Sequence, residues 1–158
     1  MRKTLSIAAV ALVSAVGANS AYAADATVPF AGLVTSTCAL TVGTPGVMSA
    51  STDFKSLSST NAAGVAGTVT ALSTGTNYKV SAIAPTTFKT APAGGGDDVT
   101  FAATYSGAGS TSIGSTPGAT TTTLNAGTTV VSVNLAATKG SGTFNGGAYT
   151  AEVIVRCE

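Results

Sequence analysis

The sequence predicts an all-β protein built as a sandwich of antiparallel sheets. Apolar and polar residues alternate in short runs, and clusters of glycine and proline separate the runs, a pattern typical of strands joined by turns. No stretch keeps apolar residues at sustained intervals of three and four, and threonine, serine, glycine and valine are poor helix formers. The 158 residues suit a single domain. Many short strands in one domain of this size favour a sandwich.

The first segment has the features of a secretory signal peptide. Arg2 and Lys3 give it a positive start, a mostly apolar run covers 5–16, and an Ala-Tyr-Ala cleavage pattern occupies 21–23. A membrane anchor is the alternative, but the apolar run is too short to span a bilayer comfortably. We therefore predict that residues 1–23 are removed and that the mature chain is exported without a membrane span.

The strands of the mature chain are predicted from alternation, in order. The first covers 26–34, and the residues of one of its faces are Ala26, Val28, Phe30, Gly32 and Val34. The second covers 38–42 and stops at the turn residues of 43–46. The last covers 148–157, and the residues of one of its faces are Tyr149, Ala151, Val153 and Val155. Between them we expect a short strand around Phe54 and strands at 64–72, 78–85, 99–105 and 129–137.

Two long loops are predicted between these strands. Three consecutive glycines mark 91–98 as a loop, and a stretch rich in serine, glycine and threonine marks 106–122 as another. The threonines of 120–123 are expected in an exposed loop or at a sheet edge. No internal repeat or second domain boundary is visible in the mature chain.

The composition excludes most catalytic and nucleic-acid functions. The chain has no histidine, the side chain that most often serves as a general base, and only 8% of its residues are charged. Its formal net charge of +1 also argues against the clustered lysine and arginine that a nucleic-acid binder needs. Asp97 and Asp98 lack the spaced oxygen ligands of a calcium loop. The glycines of 94–96 have no phosphate-binding context. We predict that the protein is not an enzyme, uses no cofactor or metal, and binds no nucleic acid.

Two cysteines, Cys38 and Cys157, stand near the two ends of the mature chain. An even count in an exported protein predicts one disulfide. Two free thiols are the alternative. Neither cysteine has the neighbours of a redox centre.

The two ends of the mature chain carry the functional information. The last predicted strand finishes at the end of the sequence, so we expect the sandwich to lack a final strand over one edge, although the strand count alone leaves this open. The strand at 26–34, in contrast, is surplus to the sandwich. It could also be an ordinary first strand that pairs within its own domain.

The sequence Val28-x-Phe30-x-Gly32-x-Val34, shortly before Cys38-x-Leu40, resembles the N-terminal extension of chaperone–usher pilins. The resemblance implies an immunoglobulin-like sandwich at 37–158 that lacks its final strand, and a donor strand within an extension at 24–36. It implies that the extension of one subunit completes the next by β-strand addition. Gly32 then lies where the acceptor groove is shallow. The position of the second cysteine and the missing tyrosine near the C-terminus indicate a divergent branch. Pro29, inside the donor strand, removes one of its ladder hydrogen bonds.

The resemblance also implies the partners and the location of the protein. A periplasmic chaperone lends a strand to the subunit, an outer-membrane usher assembles it, and neighbouring subunits form a surface fibre for adhesion or biofilm formation. The acceptor groove and the chaperone-binding edge are then formed by Tyr149, Ala151, Val153 and Val155. A secreted monomeric sandwich that binds a ligand or forms a coat is the alternative, although the absence of tryptophan gives no aromatic platform for a sugar.

Overall fold

A computed structural model describes residues 25–158, and the predicted signal peptide at 1–23 lies outside these residues. The chain divides into two units, residues 1–32 and residues 33–158. In the first unit, residues 25–32 are exposed and have no regular secondary structure. The second unit holds all the strands described below.

The second unit is all-β, and no helix occurs in the described part of the chain. Its strands, in chain order, are β1 Cys38–Val42, β2 Ser49–Ala50, β3 Ser56–Ser58, β4 Gly67–Ser73, β5 Lys79–Ile83, β6 Val99–Gly109, β7 Ile113–Pro117, β8 Thr122–Thr123, β9 Gly127–Lys139 and β10 Ile154–Cys157. Every pairing between them is antiparallel. The prediction of an all-β protein with antiparallel sheets is confirmed.

The strands form a seven-stranded and a three-stranded sheet. In the larger sheet the long strand β9 pairs with β6 along one edge, and along its other edge with β4 and then β3. Strand β1 continues the sheet beyond β4, and β7 continues it beyond β6. The smaller sheet has the order β10-β5-β8. Strands β1 and β10 are therefore the outer strands of their sheets.

Hydrogen bonds join the two sheets on the side of β6 and β5. The buried hydroxyl of Tyr105 lies 3.1 Å from the carbonyl oxygen of Val80, 2.8 Å from that of Thr120 and 2.7 Å from Thr122 Oγ1. The amide of Gly118 donates to Ala103 of β6, and its carbonyl accepts from Ala82 of β5, both at 2.8 Å. The first core cluster packs between the sheets and comprises Ala71, Val80, Ala82, Tyr105, Ile113, Leu124, Val131 and Val133.

The prediction of a strand at 26–34 is wrong for the single chain, where this strand is not formed. Residues 25–37 have no regular secondary structure, and Val28, Phe30 and Val34 are 67%, 95% and 79% exposed. A segment with strand alternation forms a strand only where a partner edge is available to it. Within residues 25–158, the backbone of 26–34 has no hydrogen-bonded partner. The alternative of an ordinary first strand within the domain is therefore wrong.

The loop predicted at 106–122 is also wrong, because β6 continues to Gly109 and pairs with β7. Glycine allows this close packing, since a Cβ at Gly107 would come within 2.9 Å of Ile113 Cδ1. Phe54 lies in a turn with φ of 54° between the short strands β2 and β3, not in a strand. The last strand is shorter than predicted, although Thr150 forms an isolated bridge with Thr90. The loop predicted at 91–98 and the turn at 43–46 are confirmed.

Candidate functional site

A cleft of about 200 Å³ opens between β1 and the segment that leads into β10. Its lining includes Val69 of β4 and Val133 and Leu135 of β9, three residues of the buried core. Val42 contributes from the end of β1, and Val153 and Val155 contribute from the opposite wall. The cleft therefore reaches into the hydrophobic interior of the sandwich. We call it the seam cleft, because it lies where the two sheets are not joined by strand pairing.

The side chains on the walls of the seam cleft are less buried than core-facing residues of closed sheets. Leu40, Val153 and Val155 pack against the core cluster but are only half-buried. Val42 follows Leu40 on the same face of β1 and is 76% exposed. An edge strand whose core-facing side chains remain open to solvent is the arrangement expected where one strand of a sandwich is missing.

The backbones of both walls direct free hydrogen-bonding groups into the seam cleft. Glu158 and Lys79 exchange both of their backbone hydrogen bonds, so the antiparallel alternation turns the amide and carbonyl of Val155 away from β5. The same alternation turns Leu40 and Val42 away from β4. In residues 25–158 these groups have no hydrogen-bonded partner. Both walls are therefore edges to which a further strand can add.

The disulfide predicted between Cys38 and Cys157 is present and closes one end of the seam cleft. It joins the start of β1 to the end of β10, with a Cα–Cα distance of 6.3 Å. A strand placed between two others needs about 9.5 Å, which is twice the spacing of neighbouring strands. No strand fits at the disulfide, so the seam cleft is accessible only beyond it.

The opening continues past the seam cleft along the segment before β10. A second cleft of about 360 Å³ shares Gly46, Val47, Met48 and Ala151 with the seam cleft. A third, of about 410 Å³, shares Leu57, Gly147 and Tyr149 with the second. Together the three clefts form one groove, which we call the seam groove, from the disulfide to the aromatic residues around Tyr149.

An aromatic cluster fixes the far wall of the seam groove. The ring of Tyr149 lies 5.0 Å from that of Phe88 and 5.3 Å from that of Phe144, and its hydroxyl donates to the carbonyl of Asn145 at 2.9 Å. Such edge and tilted ring contacts are favourable. The wall of the groove therefore carries a large, fixed side chain at Tyr149 and a small one at Ala151. Towards the disulfide the groove is narrow.

No charged side chain lines the seam cleft in the part of the chain that the structure describes. Beside the wall, Lys89 and Glu152 form an exposed ion pair. Hydrogen bonds from the Ser51 hydroxyl and the Lys55 amide lower the pKa of Asp53, which lies on an exposed turn outside the seam cleft. The described residues contain no metal-binding cluster and no helix long and apolar enough to cross a membrane. The groove is thus suited to an uncharged, apolar occupant.

The four residues predicted for an acceptor groove all lie along the seam groove. Ala151, Val153 and Val155 line the seam cleft, and Tyr149 lines its continuation. The opposite wall was not predicted from the sequence. It consists of Val42, Val47 and Met48, and the alternation of Cys38, Leu40 and Val42 was the signal that could have identified its first residue. The residues predicted for a donor strand, Ala26, Val28, Phe30, Gly32 and Val34, are all exposed.

No protein-family model, curated protein or solved structure matches this chain.

Proposed function

We propose that this protein is a structural subunit of a surface fibre, assembled by donor-strand exchange as in chaperone–usher pilins. In this proposal a donor strand within the segment 26–34 of one subunit enters the seam groove of the next. The observation that supports it best is the seam cleft, where core side chains and free strand edges are open together. Export, a periplasmic chaperone that covers the same edges, and an outer-membrane usher belong to the proposal.

The energy available for such a joint is large compared with ordinary stabilities. Val28 and Phe30 are mostly exposed in the single chain. Burying each contributes about 1.5–3 kcal/mol, before the cost of ordering the segment. Backbone hydrogen bonds to the two free edges add to this. A joint of this kind is comparable with the total stability of a small domain, about 5–15 kcal/mol, so the resulting polymer is long-lived.

Deletion of residues 24–34 tests the proposal. The truncated chain keeps the seam groove but has no segment to donate, so we expect it to remain monomeric in size-exclusion chromatography with light scattering, whereas the full mature chain forms polymers. Gly32→Leu is the milder variant, and we expect it to reduce polymer yield because the added side chain obstructs insertion. The matched control is Gly114→Leu, at a glycine with no heavy atom within 4 Å of an added Cβ. A mature chain that stays monomeric under all conditions would overturn the proposal and favour a secreted monomeric binding protein.

A further inference from the structure

We propose that the donor segment enters the seam groove in one register, with Phe30 opposite Ala151. The full set of opposed pairs is Ala26 with Val155, Val28 with Val153, Phe30 with Ala151, and Gly32 with Tyr149. The donor runs antiparallel to β10, with its N-terminal end at the disulfide. This inference rests on the proposed function and adds the position and direction of the incoming strand.

The disulfide sets the direction of the strand. The groove is closed at Cys38 and Cys157, where the Cα atoms are 6.3 Å apart, and is open towards Tyr149. The C-terminal end of the donor segment continues into its own folded domain, so it has to leave through the open end. The N-terminal end of the donor therefore points to the disulfide, which makes the donor antiparallel to β10 and parallel to β1.

Side-chain size selects the register. Directly opposed residues on neighbouring antiparallel strands share a face, so the core-facing side of the donor meets the core-facing side of the wall. Phe30 is the largest donor side chain, and Ala151 is the smallest side chain of the wall. Phe30 then occupies the part of the groove shared by the first two clefts, beside Val47 and Met48. Gly32 faces the ring of Tyr149, which the aromatic cluster holds in place.

The start of the donor's own domain supports the same register. In that domain the hydroxyl of Thr74 donates to the carbonyl of Thr35 at 2.8 Å and accepts from the amide of Thr37 at 2.7 Å. The chain is therefore held to its own domain from Thr35 onward. In the proposed register Leu33 and Val34 remain as a connection between the groove and this anchor. A shift of two residues towards the disulfide would place Val34 opposite Tyr149 and leave no connecting residue.

The outward face of the donor fits this register too. It places Asp25 opposite Arg156, both exposed, so opposite charges meet across the strands. It also places Pro29 opposite Glu152. Glu152 lies five residues before Cys157, and the position five residues after Cys38 is one residue past Val42, where β1 ends. Pro29 is therefore level with the end of β1. Proline has no amide hydrogen, so one hydrogen bond to the free carbonyl of Val42 is lost at this position, at the very end of the pairing with β1.

A synthetic peptide of residues 25–36, which we call the donor peptide, tests the register by fluorescence anisotropy. The chains used all lack residues 24–34, so that no copy fills the seam groove of another, and the second unit is compact without them. We compare the natural chain and its Ala151→Leu variant, each with the natural peptide and its Phe30→Ala variant. The Ala151→Leu substitution in the chain should weaken binding of the natural peptide by about tenfold or more, because the leucine side chain occupies the space of the Phe30 ring. The Phe30→Ala peptide should bind the Ala151→Leu chain more tightly than it binds the natural chain, since the leucine fills the vacated space.

This inversion of preference also shows that the variant chain is folded, because an unfolded chain would bind neither peptide. If Ala151→Leu binds the natural peptide normally, the register is wrong, since a strand shifted by two residues would present Gly32 there. If Ala151→Leu weakens both peptides alike, the register is equally overturned. If the natural peptide fails to bind the natural chain, the proposed function fails together with the register.

Charge reversal gives an independent test of the same register on exposed residues. The Arg156→Glu substitution should lower the affinity for the natural peptide by about two- to fivefold at low salt. A peptide with Asp25→Lys should bind this variant with the original affinity. The Lys79→Glu variant is the matched control, because Lys79 lies on β5 away from the proposed strand. Equal effects of the Arg156 and Lys79 reversals would show a general charge effect and contradict the register.

Discussion

The disulfide between Cys38 and Cys157 gives the stability prediction with the most definite magnitude. It joins residues 119 positions apart, so it encloses all ten strands of the described residues in one loop. The loop-entropy model assigns such a cross-link about 5 kcal/mol of stabilisation at 25 °C through the unfolded chain. The same bond holds β1 and β10 together at the closed end of the seam cleft. Reduction should therefore remove a large part of the total stability of the domain.

Urea unfolding followed by circular dichroism measures this loss, since the chain has no tryptophan. We expect the free energy of unfolding of the oxidised chain to exceed that of the reduced chain by about 3–5 kcal/mol. After reduction this free energy should fall more steeply with urea concentration, because the unfolded chain without the cross-link exposes more surface. The paired Cys38→Ala and Cys157→Ala variant should match the reduced chain, and reductant should not affect it. Coincident unfolding curves for the oxidised and reduced chains would refute the reasoning, because they would mean that the cross-link does not restrict the unfolded state.

Three further predictions concern the second unit. Tyr105→Phe should lower the free energy of unfolding by about 1–3 kcal/mol, because the buried hydroxyl joins the two sheets; urea unfolding measures it, and an unchanged midpoint would contradict it. Gly118→Ala should reduce the thermal midpoint by several degrees, since an added Cβ would overlap the carbonyl oxygen of Ala82; the same substitution at Gly114, which is open, should have little effect. The pKa of Asp53 is lowered in the folded chain by the Ser51 hydroxyl, so its stabilising effect is present above the unfolded pKa and is lost as pH falls through the folded pKa; Asp53→Asn should make the acid side of the stability profile shallower.

The sequence was sufficient to predict strands that pair with a neighbouring strand on both of their edges. Strands β4, β5 and β9 alternate clearly, and their core-facing residues include Ala71, Val80 and Val131. The hairpin of β6 and β7 was missed because serine, glycine and threonine serve equally in loops and in closely packed strands. Gly107 makes room for Ile113, a contact that no local pattern reports.

One wall of the seam groove could be predicted, and the other could not. The face of Tyr149, Ala151, Val153 and Val155 is visible as alternation along one segment. The opposite wall depends on the path of the chain after β1, where Val47 and Met48 return to the cleft after a turn. The absence of a strand at 26–34 has the same origin, because alternation does not show whether a partner edge belongs to the same chain.

Hydrogen exchange of single amides tests most directly whether a foreign strand closes the seam. The monomeric chain that lacks residues 24–34 is measured by NMR with and without an excess of the donor peptide. The amides of Leu40 and Val155, which face the gap, should exchange at least about tenfold more slowly with the peptide, while Arg156, already directed to β5, should change little. Equal exchange at Leu40 and Val155 in the two samples would contradict the account, because no strand would then have paired with either edge.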